Sequence, residues 1–226
     1  KDDDFPSEIW LESTNHCNAA CVMCPRELQT RSMGVMSMPL YEKLIKEMSA
    51  YSDEIQRLHM HNFGESLLVK NLPERIRFAK EHGIRHVYIV TNAYILNEKR
   101  ARQLIDAGLD EIKISFYGTD TESYNSVMKR LDFDVTLENV KTFFKVRSEM
   151  KRSRPRVNIQ LLPQAVDHES IEKWDAMFSE LIDESAGDKL VKTPLLNFSD
   201  GRSYNRIDQM ISEVCIYPCR SMVILQ

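Results

Sequence analysis

The sequence predicts an α/β fold assembled from parallel strand–helix–strand units, and two observations carry that expectation. Strand-like and helix-like segments alternate six times along the 226 residues, and the connections between strands are too long for hairpins. No internal repeat and no low-complexity segment interrupts the alternation. Six such units build either an open doubly wound sheet or an incomplete barrel, and pattern alone leaves both open.

The elements follow in order. Ile9-Trp10-Leu11-Glu12-Ser13 alternates apolar and polar residues and reads as the first strand. Leu40 to Met48 places apolar residues at helical spacing behind Pro39. Ile55 to His61 is the second strand and runs into Asn62-Phe63-Gly64-Glu65. Pro73 to His82 is a helix closed by Gly83. The β-branched and aromatic run His86 to Thr91 is the third strand. Asn97 to Ala107 is a helix ending at Gly108; Glu111 to Phe116 is the fourth strand and Val135 to Glu149 the next helix. Arg156 to Leu162, Ser170 to Leu181 and Leu190 to Phe198 complete the series as strand, helix and sixth strand.

Composition narrows the function classes. With 34 acidic and 30 basic residues the formal net charge is −4, which gives no reason to expect nucleic acid as a partner. No apolar run approaches the roughly 20 residues of a membrane span. The polar opening Lys1-Asp2-Asp3-Asp4 lacks the apolar core of a secretory signal. Five cysteines, clustered at two places, do not resemble a disulfide framework, so a reducing cytoplasmic location is expected. The chain opens on Lys1 rather than Met and stops in the strand-like stretch Met222 to Gln226, which suggests a fragment.

The chemistry concentrates in Cys17-Asn18-Ala19-Ala20-Cys21-Val22-Met23-Cys24, just past the first strand. Three thiolates on one short loop, spaced C-x3-C-x2-C, suit an iron–sulfur cluster or zinc. Structural zinc normally takes four protein ligands in two pairs, and the next cysteine is Cys215. Three thiolates on a [4Fe–4S] cluster leave one iron open to a substrate or cofactor. Zinc closed by His16, or cysteines clustered without a ligand, are the competing readings.

The run from Cys17 to Arg26, C-N-x-x-C-x-M-C-P-R, resembles the signature of the radical S-adenosylmethionine (radical SAM) enzymes, with Met23 where an aromatic residue is common. The resemblance implies a (β/α)6 partial TIM barrel, with chemistry at the C-terminal ends of the strands. It also implies a [4Fe–4S] cluster on Cys17, Cys21 and Cys24 whose open iron chelates S-adenosylmethionine (SAM). Reductive cleavage of SAM then supplies a 5′-deoxyadenosyl radical that abstracts a substrate hydrogen atom. An electron donor such as flavodoxin or ferredoxin is the implied partner.

Several strand ends resemble the family's SAM-binding places. Gly64-Glu65 matches the second half of a G-G-E motif that holds the methionyl amine, with Phe63 replacing the first glycine; without the resemblance it is an ordinary turn. Thr91-Asn92 resembles a T-N-G turn near the ribose, with Ala93 in place of glycine. Ser115 is a candidate for ribose or carboxylate, and Lys129 or Arg130 for the SAM carboxylate. Asn158 and Gln160 share one face of the fifth strand and are expected to project into the barrel mouth, and Leu162 is the expected packing surface for adenine. His59 and His61 also share a face, without a third metal ligand in view, which favours a substrate-side or hydrogen-bonding role.

Cys215-Ile216-Tyr217-Pro218-Cys219 resembles the C-x-x-P segment that opens a SPASM or Twitch extension, and Leu196 to Arg202 resembles its lead-in. On that resemblance residues 1–200 are the radical SAM core. Residues 201–226 are the linker and start of an auxiliary-cluster domain, with Cys215 as a ligand of an auxiliary [4Fe–4S] cluster. Such a cluster removes a second electron and turns abstraction into oxidation. The implied enzyme is a radical SAM oxidoreductase acting on a small polyol or aminocyclitol; a peptide-maturing enzyme is the alternative. A non-catalytic zinc module is the reading from another class.

Overall fold

The computed structural model describes residues 5–193 and 220–225. Its strands are β1 (Glu8–Leu11), β2 (Arg57–His59), β3 (Val87–Thr91), β4 (Glu111–Ser115), β5 (Arg156–Leu161), β6 (Lys189–Lys192) and β7 (Ser221–Ile224). The helices are α1 (Met38–Ser49), α2 (Leu72–Glu81), α3 (Glu98–Asp106), α4 (Thr121–Val127), α5 (Phe133–Glu149) and α6 (His168–Ser179). The strands form one seven-stranded sheet in the order β6-β5-β4-β3-β2-β1-β7, and every pairing is parallel. This is the partial barrel that the alternation and the resemblance together anticipate. The expected sixth strand runs only to Lys192, and residues 194–198 lie outside the described part.

Strand periodicity divides the sheet into two chemically distinct faces. Ile9, Leu11, Leu58, Val87, Ile89, Ile112, Ile114, Val157, Ile159 and Leu161 are fully buried and face the helices. Their neighbours Trp10, His59, Tyr88, Glu111, Lys113 and Gln160 take the other face, the concave interior. Short polar caps start the helices: Ser37, Asn97, Asp132 and Asp167 each accept a backbone N–H of the first turn. Gly83 (φ +87°) and Gly108 (φ +83°) follow α2 and α3 in the left-handed conformation that the expected helix stops require.

One helix escaped the sequence pattern. Thr121 to Val127 forms α4, begun by a capping box in which Asp120 and Ser123 bond each other's backbone N–H groups. Only Tyr124 and Val127 of this helix are buried, too few for an apolar stripe.

The lower interior is filled by ion pairs instead of apolar layers. Glu111 accepts from Arg156 (2.9 Å), Asn158 (2.6 Å) and His86 (3.0 Å), and lies 3.5 Å from Arg57. Burial alone would raise its pKa, but the His86 bond and the two guanidiniums outweigh it and hold the carboxyl at about 2. Asn158, expected at the barrel mouth, is therefore committed to Glu111 in this plug. His59 stacks on Trp10 (3.9 Å between ring centroids) and bonds Glu8 at 2.7 Å.

Candidate functional site

A cavity of about 490 Å³ opens at the C-terminal ends of the strands, where the cysteine loop folds over them. Cys17, Cys21 and Cys24 line it together with Gly64, Glu65, Asn92, Ser115 and Leu162. The chain thus gathers residues up to 176 positions apart (17 to 193) around one opening.

The cysteine loop is held from several sides. On one side, Ala20 N–H donates to Lys129 O (3.0 Å) and Val22 N–H to Val127 O (3.1 Å), while the Cys21 thiol lies 3.6 Å from the Met128 sulfur. On another, the Asn92 amide donates to Asn18 Oδ1 (2.9 Å), and Glu65 N–H donates to His16 O (2.8 Å). Outside the loop, Arg31 forks onto the buried Glu12 carboxylate, which also accepts from Phe63 N–H.

The three thiols are free and half-buried. Burial pushes Cys17 up, and burial followed by the neighbouring Cys17 and Cys24 pushes Cys21 up to about 12. A cationic group bound among the sulfurs would reverse the balance at Cys17 and Cys21 by stabilising their thiolates. Among the described residues no three His, Cys, Asp or Glu side chains converge on a single ion. A four-iron cluster offers each thiolate its own iron, so the sulfurs need not meet at one point. His16, the fourth ligand in the zinc reading, is exposed. The Asn18 Nδ2 group beside Cys17 is buried without a partner among the described residues, a donor that a bound group would satisfy. The residues present fit an iron–sulfur cluster.

Gly64 is at a point of closest approach. A Cβ there would lie 2.0 Å from Thr14 O and 2.9 Å from His16 O, so only glycine lets the two strand ends meet. Glu65 follows, buried, and its carboxylate is shared among three donors. Oε1 accepts from Leu67 N–H (3.0 Å) and the Thr91 hydroxyl (2.8 Å), and Oε2 from Asn92 N–H (2.8 Å). Turn residue and ligand residue are thus compatible roles, because a carboxylate has about four acceptor positions and one remains on Oε2. Burial pushes the Glu65 carboxyl up, opposed by the bonds from Asn92, Leu67 and Thr91.

Ala93 takes φ +57°, the left-handed conformation that glycine would adopt freely. The turn expected at Thr91-Asn92 therefore keeps its shape without its glycine. The Asn92 side chain serves that turn: its amide reaches Asn18 and its Oδ1 accepts from Tyr94 N–H (3.0 Å). Ser115 bonds the buried Tyr117 hydroxyl, and both line the cavity. Leu162 is 6% exposed at the cavity wall. Arg130 does not line the cavity; it is exposed, at φ +70°, and its neighbour Lys129 contributes a backbone carbonyl to the cysteine loop. Cys215 and Cys219 lie outside the described residues. Sequence reasoning missed Met128, Tyr117 and Lys113, all lining residues.

Fold and site together define a partial-barrel protein with a thiolate loop at its mouth. The model of the radical SAM superfamily matches residues 11–152, and this chain belongs to that superfamily. The "Probable GTP 3′,8-cyclase" of Methanococcus maripaludis is 30% identical over 166 residues, 70% of this chain and 53% of the relative. The S-adenosyl-L-methionine-dependent 2-deoxy-scyllo-inosamine dehydrogenase of Niallia circulans is 30% identical over 131 residues, 57% of this chain and 52% of the relative. The chain spans about half the length of these curated relatives. Among solved structures, Streptococcus suis SuiB bound to S-adenosylmethionine matches 79% of this chain and 39% of its own at a TM-score of 0.64. At 16% identity that is a likeness of fold.

Proposed function

We propose that this chain is the core of a radical SAM enzyme that abstracts a hydrogen atom from a small polyol or aminocyclitol, leading to its oxidation. The observation that carries the reading is the placement of Cys17, Cys21, Cys24 and Glu65 around one cavity at the strand ends. A [4Fe–4S] cluster and SAM, when bound, supply an electron and the 5′-deoxyadenosyl radical. The protein's own part is to bind and orient. The cysteines hold the cluster, the remaining acceptor of Glu65 receives the SAM ammonium, and Leu162 offers an apolar surface to adenine. Ser115 bonds the ribose or the carboxylate. Arg130 remains a proposed carboxylate partner only if its exposed side chain folds in over the mouth. The dehydrogenase relative, whose name specifies an aminocyclitol substrate, supports the substrate class.

Anaerobic reconstitution with iron and sulfide, followed by dithionite and SAM, tests the reading. The expected products are methionine and 5′-deoxyadenosine, resolved by chromatography. A colourless protein holding stoichiometric zinc, or a cluster-loaded protein that leaves SAM intact, would remove it.

The proposal extends to Cys215 as a ligand of an auxiliary cluster, on the strength of its C-x-x-P context. Iron counting on the native gene product decides it: about eight irons or more per chain support the auxiliary cluster and about four exclude it, since each [4Fe–4S] cluster holds four.

A further inference from the structure

We propose that the inner half of the cavity is an oxyanion subsite, built on Lys113 and Gln160, that receives a carboxylate or phosphate of the substrate. The inference rests on the radical SAM reading of the same cavity and specifies its substrate.

Lys113 lies in the middle of β4, paired in register with Val90 of β3 and Asn158 of β5. It lines the cavity and is the one Lys or Arg among the described lining residues. It has no hydrogen bond or ion pair to another described residue, although it is only partly exposed. The acid nearest along its strand is Glu111, two positions below on the same face. That carboxylate is already occupied by His86, Arg57, Arg156 and Asn158. Burial lowers the Lys113 pKa, opposed by Glu111 and reinforced by Arg57.

Arg57 and Glu111, the charges that act on Lys113, pair with each other, and Glu65, the carboxyl among the described lining residues, is bonded to Leu67, Thr91 and Asn92. Gln160, on the neighbouring strand and 9% exposed, lines the same cavity, and its side chain bonds no described residue. In register it stands opposite Ser115, diagonal to Lys113 on one face, within reach for a shared ligand. Burial holds His61 neutral, and its Nδ1 is buried without a partner among the described residues. An ammonium and an amide aimed into one space are the donors that an oxyanion takes.

The SAM carboxylate is a poor candidate for this place. It is carried on the same carbon as the amine, so a SAM held through its ammonium at Glu65 would keep both groups at the strand ends, whereas Lys113 lies two residues below Ser115, about 7 Å deeper along the strand. An amine-bearing ring would set like charge against Lys113. Within the substrate class proposed above, the subsite selects a hydroxylated ring or chain that also carries an acidic group, with any amine held away from Lys113.

The test reads Lys113 directly. Lysines of the cluster-loaded full chain are reductively methylated with ¹³C, and the signal missing from Lys113→Met identifies the residue; Lys113→Gln serves if the Met variant does not fold. Inorganic phosphate and sodium acetate are titrated separately, with chloride at matched ionic strength as control. The expected result is a saturable shift of the Lys113 signal with one or both oxyanions and not with chloride. Phosphate against acetate tells which acid the site prefers. Gln160→Leu should weaken the response at least fivefold. A Lys113 signal unmoved by both oxyanions overturns the subsite. So does a tenfold loss of SAM affinity in Lys113→Met, which would give the ammonium to the cofactor. Intact SAM binding beside an unresponsive Lys113 sinks the subsite alone; a wild-type protein that binds no SAM sinks the reading beneath it as well.

Discussion

The Glu65 carboxylate accepts the backbone N–H of Asn92 at 2.8 Å, tying the turn after β2 to the end of β3. Through the Asn92 amide the same link reaches Asn18, in the middle of the cysteine loop. One side chain thus couples two strand ends to the cysteine loop, and Glu65 itself lines the cavity.

Replacing Glu65 with Gln should have two separable effects. A charge-assisted hydrogen bond contributes roughly 1.5–3 kcal/mol, so SAM affinity should fall by on the order of tenfold or more. The amide also turns an N–H toward the Asn92 N–H, which should cost roughly 1–3 kcal/mol of folding stability. Calorimetric titration with SAM reads the first and urea unfolding the second. Unchanged affinity with reduced stability and an intact cluster would make Glu65 a cap for the turn and nothing more.

Gly64→Ala forces a methyl to within 2.0 Å of Thr14 O, a backbone atom that cannot swing aside. The turn must move, carrying Glu65 with it. We expect a loss of more than about 2 kcal/mol in urea unfolding, together with weakened SAM binding. An Ala variant as stable as the parent would show that the strand ends are further apart than described.

Substituting Cys17, Cys21 and Cys24 together by Ala should abolish the electron paramagnetic resonance signal of the reduced core cluster. The fold should persist, since the loop is also held by Ala20, Val22, Asn18 and Glu65 bonds. Iron bound at wild-type stoichiometry would contradict the ligand assignment.

Arg147 and Asp188 form a bidentate pair at 2.8 and 2.5 Å, with side chains 7% and 0% exposed, at the opposite end of the strands from the cavity. Asp188 also accepts Val157 N–H and Asp183 N–H. Asp188→Ala leaves a buried guanidinium uncompensated and should cost about 3–5 kcal/mol. SAM affinity of the folded fraction should not change, and a parallel loss of it would reveal coupling between the two ends.

Glu111 makes the fold sensitive to acid. Its carboxyl is held at about 2 against an ordinary 4.5, so the native state binds fewer protons than the unfolded chain between those values. The stability it contributes is complete above pH 4.5 and is lost as pH falls toward 2, on the order of 3 kcal/mol in all. Urea midpoints measured from pH 6 down to pH 3 should fall more steeply for the parent than for Glu111→Gln. Equal slopes would remove Glu111 from the acid response.

The parallel α/β alternation, the helix stops at Gly83 and Gly108, and the cysteine loop after the first strand were legible from residue type and spacing. These are local: each depends on spacing, backbone conformation or ligand chemistry within a few residues. Gly64, Glu65, Asn92, Ser115 and Leu162 became strand-end candidates only through the family resemblance; parallel strands place their C-terminal ends on one side, but strand position alone leaves Gly64-Glu65 an ordinary turn. Tertiary structure alone decided which polar groups are committed and which are free. Asn158 and Gln160 look equivalent in a row of alternating residues, yet one is held by Glu111 and the other faces the cavity. Lys113 is an unremarkable strand lysine until the register sets four donors around Glu111 and leaves the ammonium alone. Both faces of this sheet are covered, so alternation says which face a side chain takes, but neighbouring strands fix its partner. That partner, a matter of long-range register, is what separates a structural charge from one left to meet a ligand.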